Sequence, residues 1–282
     1  LRLIDSEAVT FSHCVPTVLS MLLDHPNSQK VNLSRWKVII GGSALSKSLL
    51  SRASKLGIRL HTAYGMSETC PFLTVADLSS TDPDTQSQTG FPGPLVDLRV
   101  VTPDMHDVPN DGKSTGEIVV KAPWLTKGYM GNPDASKDLW RNEYLHTGDV
   151  GYIRENGSLQ VTDRLKDVIK TGGEWISSLT LENIALAYSG IEEVAAIGMP
   201  NEKWGERAVL VAKLMNNAEP DLVRQDLMRK FREHVESGEI SKWAIPNHIF
   251  FVEQLPKTSV GKLDKKAIRK NVLTLKDTSN DR

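Results

Sequence analysis

The beginning of the chain alternates between helical and extended patterns of apolar residues. The pattern over 15–23 predicts a helix, and the short apolar runs at 36–40 and 59–64 each stop at glycine, as buried strands do. A second helix is expected between these two strands, capped by Ser46 and ended by Gly57. This βαβ order predicts a parallel sheet covered by helices, in which ligands bind at the carboxyl ends of the strands.

The pattern changes twice further along the chain. Residues 76–90 are rich in Ser, Thr, Asp and Gln and predict a loop. Beyond them, short apolar runs alternate with turn residues and predict strands at 97–102, 116–121 and 158–162. Helical patterns then return, with predicted helices at 179–188 and 221–235 and predicted strands at 193–198, 208–214 and 249–252.

These patterns predict an α/β protein with two domains. The first covers 1–163 and divides into an α/β part (1–90) and a subdomain made mainly of strands (91–163). The second covers 164–282, a length within the usual range for a compact α+β domain, and the boundary falls at 163–166.

Composition excludes several classes of protein. The chain has 282 residues, 39% of them hydrophobic and 24% charged, and a formal net charge of -1, which is ordinary for a globular protein and does not favour nucleic-acid binding. No apolar run approaches the ~20 residues of a membrane span. The two cysteines lack metal or disulfide spacing and indicate free thiols in the cytoplasm. The chain starts with neither Met nor a signal peptide, so we expect a fragment.

Two motifs in the first domain have the residue types of a nucleotide site. The segment 64–69 (Tyr-Gly-Met-Ser-Glu-Thr) can bring backbone N–H groups, a hydroxyl and a carboxylate together, a set that suits phosphate and Mg²⁺. Asp149 follows Thr-Gly on an expected tight turn, where its carboxylate could accept hydrogen bonds from ribose hydroxyls. Taken singly, the first is more typical of an ordinary βα turn with Ser67 as helix cap, and the second of a common turn.

Two further motifs lie in the second domain. Residues 163–174 combine dense charges at the domain boundary with a double glycine, so Arg164 could pair with phosphate or ribose while the glycines allow a ligand to approach the backbone. Residues 256–266 place lysines beside a glycine turn, where a positive charge could reach a carboxylate or phosphate. The alternatives are a solvated charged surface and a solubilising tail.

Together, the four motifs resemble the adenylate-forming superfamily, which includes acyl-CoA synthetases, peptide-synthetase adenylation domains and beetle luciferases. Their order and spacing match over essentially the whole chain. Within the superfamily, the segment 172–178 followed by Leu-Glu-Asn is most similar to medium- and long-chain fatty acyl-CoA synthetases. The segments 203–207 and 241–246 point the same way. The resemblance implies the C-terminal part of that fold, with a mobile C-terminal domain.

The resemblance also implies a role for each motif residue. Implied contacts to ATP and the acyl group come from Gly42, Ser43, Ala44, Tyr64, Gly65, Ser67, Asp149 and Arg164. Among them, Tyr64 would stack on adenine and Asp149 would bind the ribose hydroxyls. Glu68 would hold Mg²⁺, Lys262 would be the catalytic lysine of adenylation, and Lys166 would be the hinge. Lys170 would act in the second half-reaction, with Gly172 and Gly173 beside the pantetheine arm of CoA.

The implied activity is an AMP-forming ligase that joins a fatty or other carboxylic acid to CoA at the expense of ATP. One family feature is absent, the Ser/Thr/Gly-rich loop ending in Pro-Lys-Gly that grips phosphates. We expect it upstream of Leu1, and the fragment alone to be inactive. The alternatives are an adenylation domain of another adenylate-forming enzyme and a non-catalytic nucleotide-binding remnant. A dehydrogenase is disfavoured because no Gly-x-Gly-x-x-Gly turn is present. Chain length of the acid and homo-oligomerisation are left open.

Overall fold

The structure is a computed structural model that describes residues 1–42, 45, 47–78, 89–258 and 263–279. The chain forms two compact units, Leu1–Val161 and Thr162–Arg282, so the division lies two residues before the predicted boundary. Several predicted features lie outside the described residues, namely Ser43, Ala44, the Ser46 cap, Lys262 and most of the loop at 76–90.

The first sheet of the first unit contains five strands in chain order. They are β1 (Phe11–Cys14), β2 (Lys37–Ile40), β3 (Arg59–Gly65), β4 (Phe72–Asp77) and β5 (Phe91–Pro92). Strands β1 to β3 are parallel, as predicted, whereas β4 and β5 are antiparallel and make the sheet mixed. Its helices are α1 (Arg2–Ser6), α2 (Pro16–Asp24) and α3 (Lys47–Lys55). The carboxyl ends of β1, β2 and β3 therefore share one edge, where the predicted glycine turns lie.

The second sheet of this unit is formed by the strand-rich region. Its strands are β6 (Asp97–Val101), β7 (Gly116–Lys121), β8 (Trp140–Arg141), β9 (Tyr144–Ile153) and β10 (Leu159–Arg164), in the order β10-β9-β7-β6 with β8 beside β9. The short helix α4 (Pro133–Leu139) is capped by the Asn132 side chain, which accepts from the Ala135 N–H. The ten-residue strand β9 was not predicted.

The second unit is an α+β fold, as the sequence indicates. Its strands are β11 (Ile169–Thr171), β12 (Glu174–Ile176), β13 (Ile191–Asn201), β14 (Gly205–Leu214) and β15 (His248–Phe251), and its helices are α5 (Ser178–Leu186), α6 (Pro220–Glu236) and α7 (Lys265–Ser279). Successive residues of β13 and β14 face opposite sides, so one set packs with α5 and α6 and the other with α7. Among the described residues, no helix is long and apolar enough to cross a membrane.

Candidate active site

The turn after β3 is fixed by a glycine and a buried threonine. A Cβ atom on Gly65 would lie 1.6 Å from the Pro71 carbonyl oxygen, so only glycine fits there. The Thr69 side chain is fully buried, and its hydroxyl accepts from the Met66 N–H at 2.9 Å and lies 2.7 Å from the Pro71 oxygen, to which it can donate. Met66 rather than Ser67 is therefore the cap of the single helical turn at 67–69, and Ser67 is left exposed.

Tyr64 and Asp149 come together although they lie 85 positions apart in the sequence. The Tyr64 hydroxyl donates to Oδ2 of Asp149 at 2.8 Å. Asp149 is 4% exposed, and its N–H donates to the Thr147 hydroxyl at 3.1 Å, which itself donates to the Ile118 carbonyl at 2.7 Å. The two residues that the resemblance assigns to adenine and ribose thus form one rigid pair inside the first unit.

The structure corrects the local setting of Asp149, which lies on a bulge inside β9 rather than on a tight turn. Across the ladder, Glu117 pairs with Val150 and Val119 pairs with His146. Three residues of β9 therefore oppose a single residue of β7, and Gly148 takes up the extra length with a φ of +66°. The bulge leaves the Asp149 carboxylate at the hydroxyl of Tyr64.

Glu68 is held by a loop that the sequence did not reveal. The Tyr129 hydroxyl donates to Oε1 of Glu68 at 2.7 Å, and the Thr126 N–H donates to the Glu68 carbonyl at 2.9 Å. The hydrogen bond to Glu68 raises the pKa of Tyr129 above its usual value. Within the described part of the chain, no hydrogen bond or ion pair is recorded for Oε2 of Glu68.

The surroundings of Glu68 fit Mg²⁺ bound mainly through a substrate. No group of three or more His, Cys, Asp or Glu side chains able to hold a metal occurs among the described residues. Mg²⁺ commonly takes one or two carboxylates and completes its shell with substrate phosphates and water. A single half-exposed carboxylate with one oxygen already fixed suits that arrangement.

Gly42 lies at the same sheet edge as the Tyr64 turn. It follows β2 with a φ of +84° and is exposed, and its position places a backbone group at the carboxyl end of the parallel strands. Ser43 and Ala44, the other two residues of this predicted contact, lie outside the described residues.

In the second unit, Gly172 and Gly173 form the tip of the β11–β12 hairpin. Their φ angles are +59° and +85°, and Thr171 pairs with Glu174 across the turn. Two consecutive positive φ angles in a two-residue loop define a type I′ turn, which glycine adopts without strain. A Cβ on Gly172 would lie 3.6 Å from the ring of Trp243, so the hairpin tip lies close to that side chain.

A basic aromatic surface surrounds this hairpin tip. The rings of Trp204 and Trp243 have centroids 4.5 Å apart, and the Gly172 N–H donates to the Trp204 carbonyl at 3.0 Å. Lys203 places its ammonium 4.8 Å from the Trp204 ring centroid. Lys242 and Arg207 lie 5.4 and 5.7 Å from the Trp243 centroid. We call these five residues with Gly172 the tryptophan face. Aromatic rings can stack on the base of a nucleotide, and neighbouring cations can pair with its phosphates.

The predicted hinge segment forms a turn directly after β10. The N–H groups of residues 167 and 168 both donate to the Arg164 carbonyl, and Lys166 is exposed on this turn. Asp163 is 3% exposed and accepts from the Ser178 N–H at the start of α5. Lys170 is exposed on β11 with its ammonium 5.6 Å from the Trp175 ring centroid.

A buried ion pair fixes the start of α7. The Lys265 ammonium lies 2.7 Å from Oε1 of Glu182 and 2.6 Å from the Ser178 hydroxyl, and the two charged side chains are only 12% and 10% exposed. The same Glu182 oxygen accepts from the Ala196 N–H at 2.9 Å. Burial raises the pKa of Glu182, and the charge of Lys265 opposes that rise. The segment three residues after Lys262 is therefore anchored to α5.

Sequence reasoning missed Tyr129, Thr126 and the contacts within the tryptophan face. Lys-Gly-Tyr at 127–129 shows a glycine turn before a helix begun by Pro133, but nothing local indicates that the tyrosine reaches a residue 61 positions earlier. The segments 203–207 and 241–246 were noted only for their resemblance, and their proximity depends on the pairing of distant strands.

Comparisons with known proteins indicate the family to which the chain is similar. The family model described as AMP-binding enzyme matches residues 1–130, and that of the AMP-binding enzyme C-terminal domain matches 180–262. The chain is 37% identical over 279 residues to a long-chain-fatty-acid–CoA ligase of Thermus thermophilus, covering 95% of this chain and 50% of that protein. It is 34% identical to a 3-methylmercaptopropionyl-CoA ligase of Ruegeria lacuscaerulensis, covering 95% and 50%.

Solved structures of other proteins share the fold. An amide bond synthetase of Marinactinospora thermotolerans aligns with a TM-score of 0.77 at 26% identity, covering 95% of this chain and 53% of that one. The o-succinylbenzoate coenzyme A synthetase of Bacillus subtilis, in complex with ATP and magnesium, aligns with a TM-score of 0.73 at 25% identity, covering 94% and 52%. The chain thus spans about half the length of the relatives that it matches.

Proposed function

We propose, because this chain belongs to the AMP-binding enzyme family, that it supplies the nucleotide-binding and C-terminal half of an AMP-forming acyl-CoA synthetase. The two relatives described above are CoA ligases, one named for a long-chain fatty acid and the other for 3-methylmercaptopropionate. We infer a carboxylic acid of the fatty type as substrate, with ATP and CoA. The free thiols of Cys14 and Cys70 support a reducing compartment such as the cytoplasm.

The observation that carries the proposal is the pair formed by Tyr64 and Asp149. Two residues with separate nucleotide roles in the resemblance are joined by a hydrogen bond of 2.8 Å, and Glu68 follows four positions after Tyr64 on the same turn. An aromatic ring, a buried carboxylate and a carboxylate with one oxygen left for Mg²⁺ are the groups that adenine, ribose and a phosphate-bound metal need. We assign these contacts to Tyr64, Asp149 and Glu68, with Ser67 and the turns at Gly42 and Gly65 beside them.

The proposed reaction has two steps. In the first, a carboxylate oxygen of the acid attacks the α-phosphorus of ATP, the bond to the pyrophosphate oxygen breaks, and acyl-AMP and pyrophosphate form. Mg²⁺, when bound at Glu68, supplies positive charge to the phosphate oxygens. The Lys262 ammonium is proposed to stabilise the same developing charge. In the second step, the CoA sulfur attacks the acyl carbonyl carbon, the carbon–oxygen bond to AMP breaks, and the thiol proton is released.

The second step is assigned to the second unit. We propose that the tryptophan face binds the anionic nucleotide end of CoA, because it combines two half-exposed aromatic rings with three cations. The hairpin tip at 172–173 lies beside that face and would border the pantetheine arm, with Lys170 nearby on β11. We assign 1–163 to the large domain and 164–282 to the mobile domain, with Arg164 as a ligand of ribose or phosphate and Lys166 as the hinge.

Binding of AMP to the 282-residue chain tests the nucleotide site directly. Asp149→Asn should weaken AMP binding about 10- to 100-fold, since hydrogen bonds to a charged group contribute ~1.5–3 kcal/mol each. Asp97→Asn is the matched control, because Asp97 also accepts a hydrogen bond from a tyrosine, Tyr144, at 2.6 Å. Isothermal titration calorimetry measures both. Equal AMP affinities for the wild type and Asp149→Asn would refute the assignment of this site.

A further inference from the structure

Tyr129 reaches Glu68 from a loop whose conformation is fixed independently of that contact. The loop lies between β7 and α4, and it touches the Glu68 backbone through the Thr126 N–H as well as the Glu68 carboxylate through the Tyr129 hydroxyl. Both contacts are short, at 2.9 and 2.7 Å. The loop is therefore attached to the main chain of Glu68 and also donates one hydrogen bond to its side chain.

Three features of the loop and the elements next to it hold Tyr129 in place. Its N–H donates to the Ser136 hydroxyl at 2.8 Å, and that hydroxyl lies 2.7 Å from the Asn132 carbonyl, to which it can donate. Gly128 has a φ of +152°, and a Cβ there would lie 2.7 Å from the same Ser136 hydroxyl, so the close approach requires glycine. The Trp140 indole N–H donates to the Thr126 carbonyl at 3.0 Å. The phenol is thus aimed by the fold.

The contact leaves the two oxygens of Glu68 unequal. Oε1 accepts from Tyr129, while within the described residues no partner is recorded for Oε2. We propose that Tyr129 is a positioning residue, which fixes one oxygen of Glu68 so that the other is left for the divalent cation of a bound nucleoside triphosphate. This inference rests on the proposed function, in which Glu68 is a ligand of that cation. Partners that orient a metal ligand in this way commonly change metal affinity 10- to 100-fold when removed.

The tyrosine contributes little to the fold by other means. Its side chain is 40% exposed and lies outside the hydrophobic core clusters formed by the described residues. Removal of its hydroxyl should therefore leave the first unit folded, and the effect of Tyr129→Phe can be measured on binding alone.

The test compares ATP binding with and without metal in the complete enzyme, in the absence of the acid substrate. Isothermal titration calorimetry gives the dissociation constant of ATP in EDTA and in Mg²⁺, and their ratio measures the gain in affinity that the metal provides. Tyr129→Phe should reduce this ratio about tenfold and leave the metal-free constant unchanged. Glu68→Gln should reduce it at least as much, and the double variant should add nothing to Glu68→Gln. Tyr144→Phe, which removes a similar hydrogen bond to Asp97, should leave it unchanged.

The possible results separate the inference from the proposed function. A normal ratio in Tyr129→Phe with a reduced ratio in Glu68→Gln overturns the inference and leaves the metal role of Glu68 standing. A normal ratio in Glu68→Gln overturns that metal role and the inference with it. If Tyr129→Phe weakens ATP binding by the same factor in EDTA and in Mg²⁺, the tyrosine only supports the fold, which also overturns the inference.

Discussion

Replacing Lys265 with methionine should destabilise the second unit strongly. The substitution keeps a long side chain in α7 but leaves the Glu182 carboxylate, 10% exposed, without its counter-charge. Breaking one side of a buried ion pair costs about 3–5 kcal/mol, compared with ~0.5 kcal/mol or less for an exposed side chain. Lys266→Met is the matched control, because Lys266 is the next residue of the same helix and is exposed.

Urea unfolding, monitored by hydrogen-exchange mass spectrometry on peptides of α5 and β13, measures this loss of stability. With an m-value of about 1.5 kcal/mol/M, the midpoint of Lys265→Met should fall by about 2–3 M. Lys265→Met/Glu182→Gln should recover much of the stability, because the amide oxygen can still accept from the Ala196 N–H and no buried charge remains.

The effect of Lys265→Met should also depend on pH. Burial raises the pKa of Glu182 in the folded chain, and removal of Lys265 takes away the charge that opposes this rise. Between the unfolded and folded pKa values the folded state binds more protons, so the free energy of unfolding of the variant increases as pH falls through the raised pKa. The difference in the free energy of unfolding between the wild type and Lys265→Met should therefore become smaller below neutral pH. Equal stabilities of Lys265→Met and Lys266→Met at pH 7 would refute the reasoning.

Three other outcomes follow from the proposed function. In the complete enzyme, Lys262→Ala should abolish acyl-AMP formation yet largely spare thioester formation from supplied acyl-AMP, and equal losses in the two half-reactions would contradict separate roles. The 282-residue chain alone should show no ATP–pyrophosphate exchange across C2–C18 acids, because it lacks the phosphate-gripping loop and each such donor contributes ~3–4 kcal/mol; exchange above background would contradict this. Lys203→Ala should raise KM for CoA and not for ATP, whereas Lys127→Ala, an exposed lysine of the first unit, should change neither.

Local patterns of apolar residues predicted several of the helices and strands. The helix over 15–23 is confirmed with a shift of one residue. Pro16 begins the helix, and the helix buries Leu19 and Leu23, which lie four positions apart. The strand at 116–121 is confirmed with the same bounds. In the second unit, the helices predicted at 179–188 and 221–235 are confirmed to within two residues, since α5 and α6 each bury one apolar stripe against the sheet, whereas β11, β12 and α7 were not predicted.

The unpredicted features depend on residues far apart in the sequence. Strand β9 contains Thr-Gly-Asp, which favours a turn, and only pairing with β7 on one side and β10 on the other keeps it extended. The four motifs pointed to the residues that we propose as nucleotide contacts, but the joining of Tyr64 to Asp149 and of Tyr129 to Glu68 required the three-dimensional fold. Side-chain pairs separated by 60 to 85 positions leave no local pattern.

The bulge in β9 also decides which changes of length the strand can accept. Between the pairs Val119–His146 and Glu117–Val150, β9 has two residues more than β7, an even number, so side chains alternate in phase on either side of the irregularity. Deleting Gly148 alone would make the excess odd and turn every following side chain of the strand to the opposite face, including Val150, which is 1% exposed. Deleting a pair of residues would restore the phase but remove the detour that carries the Asp149 carboxylate to Tyr64. Removing two residues from β9 would therefore cost the bulge at Asp149, whereas removing one would cost the register of the strand. Insertions and deletions at this point should disturb the fold more than substitutions do.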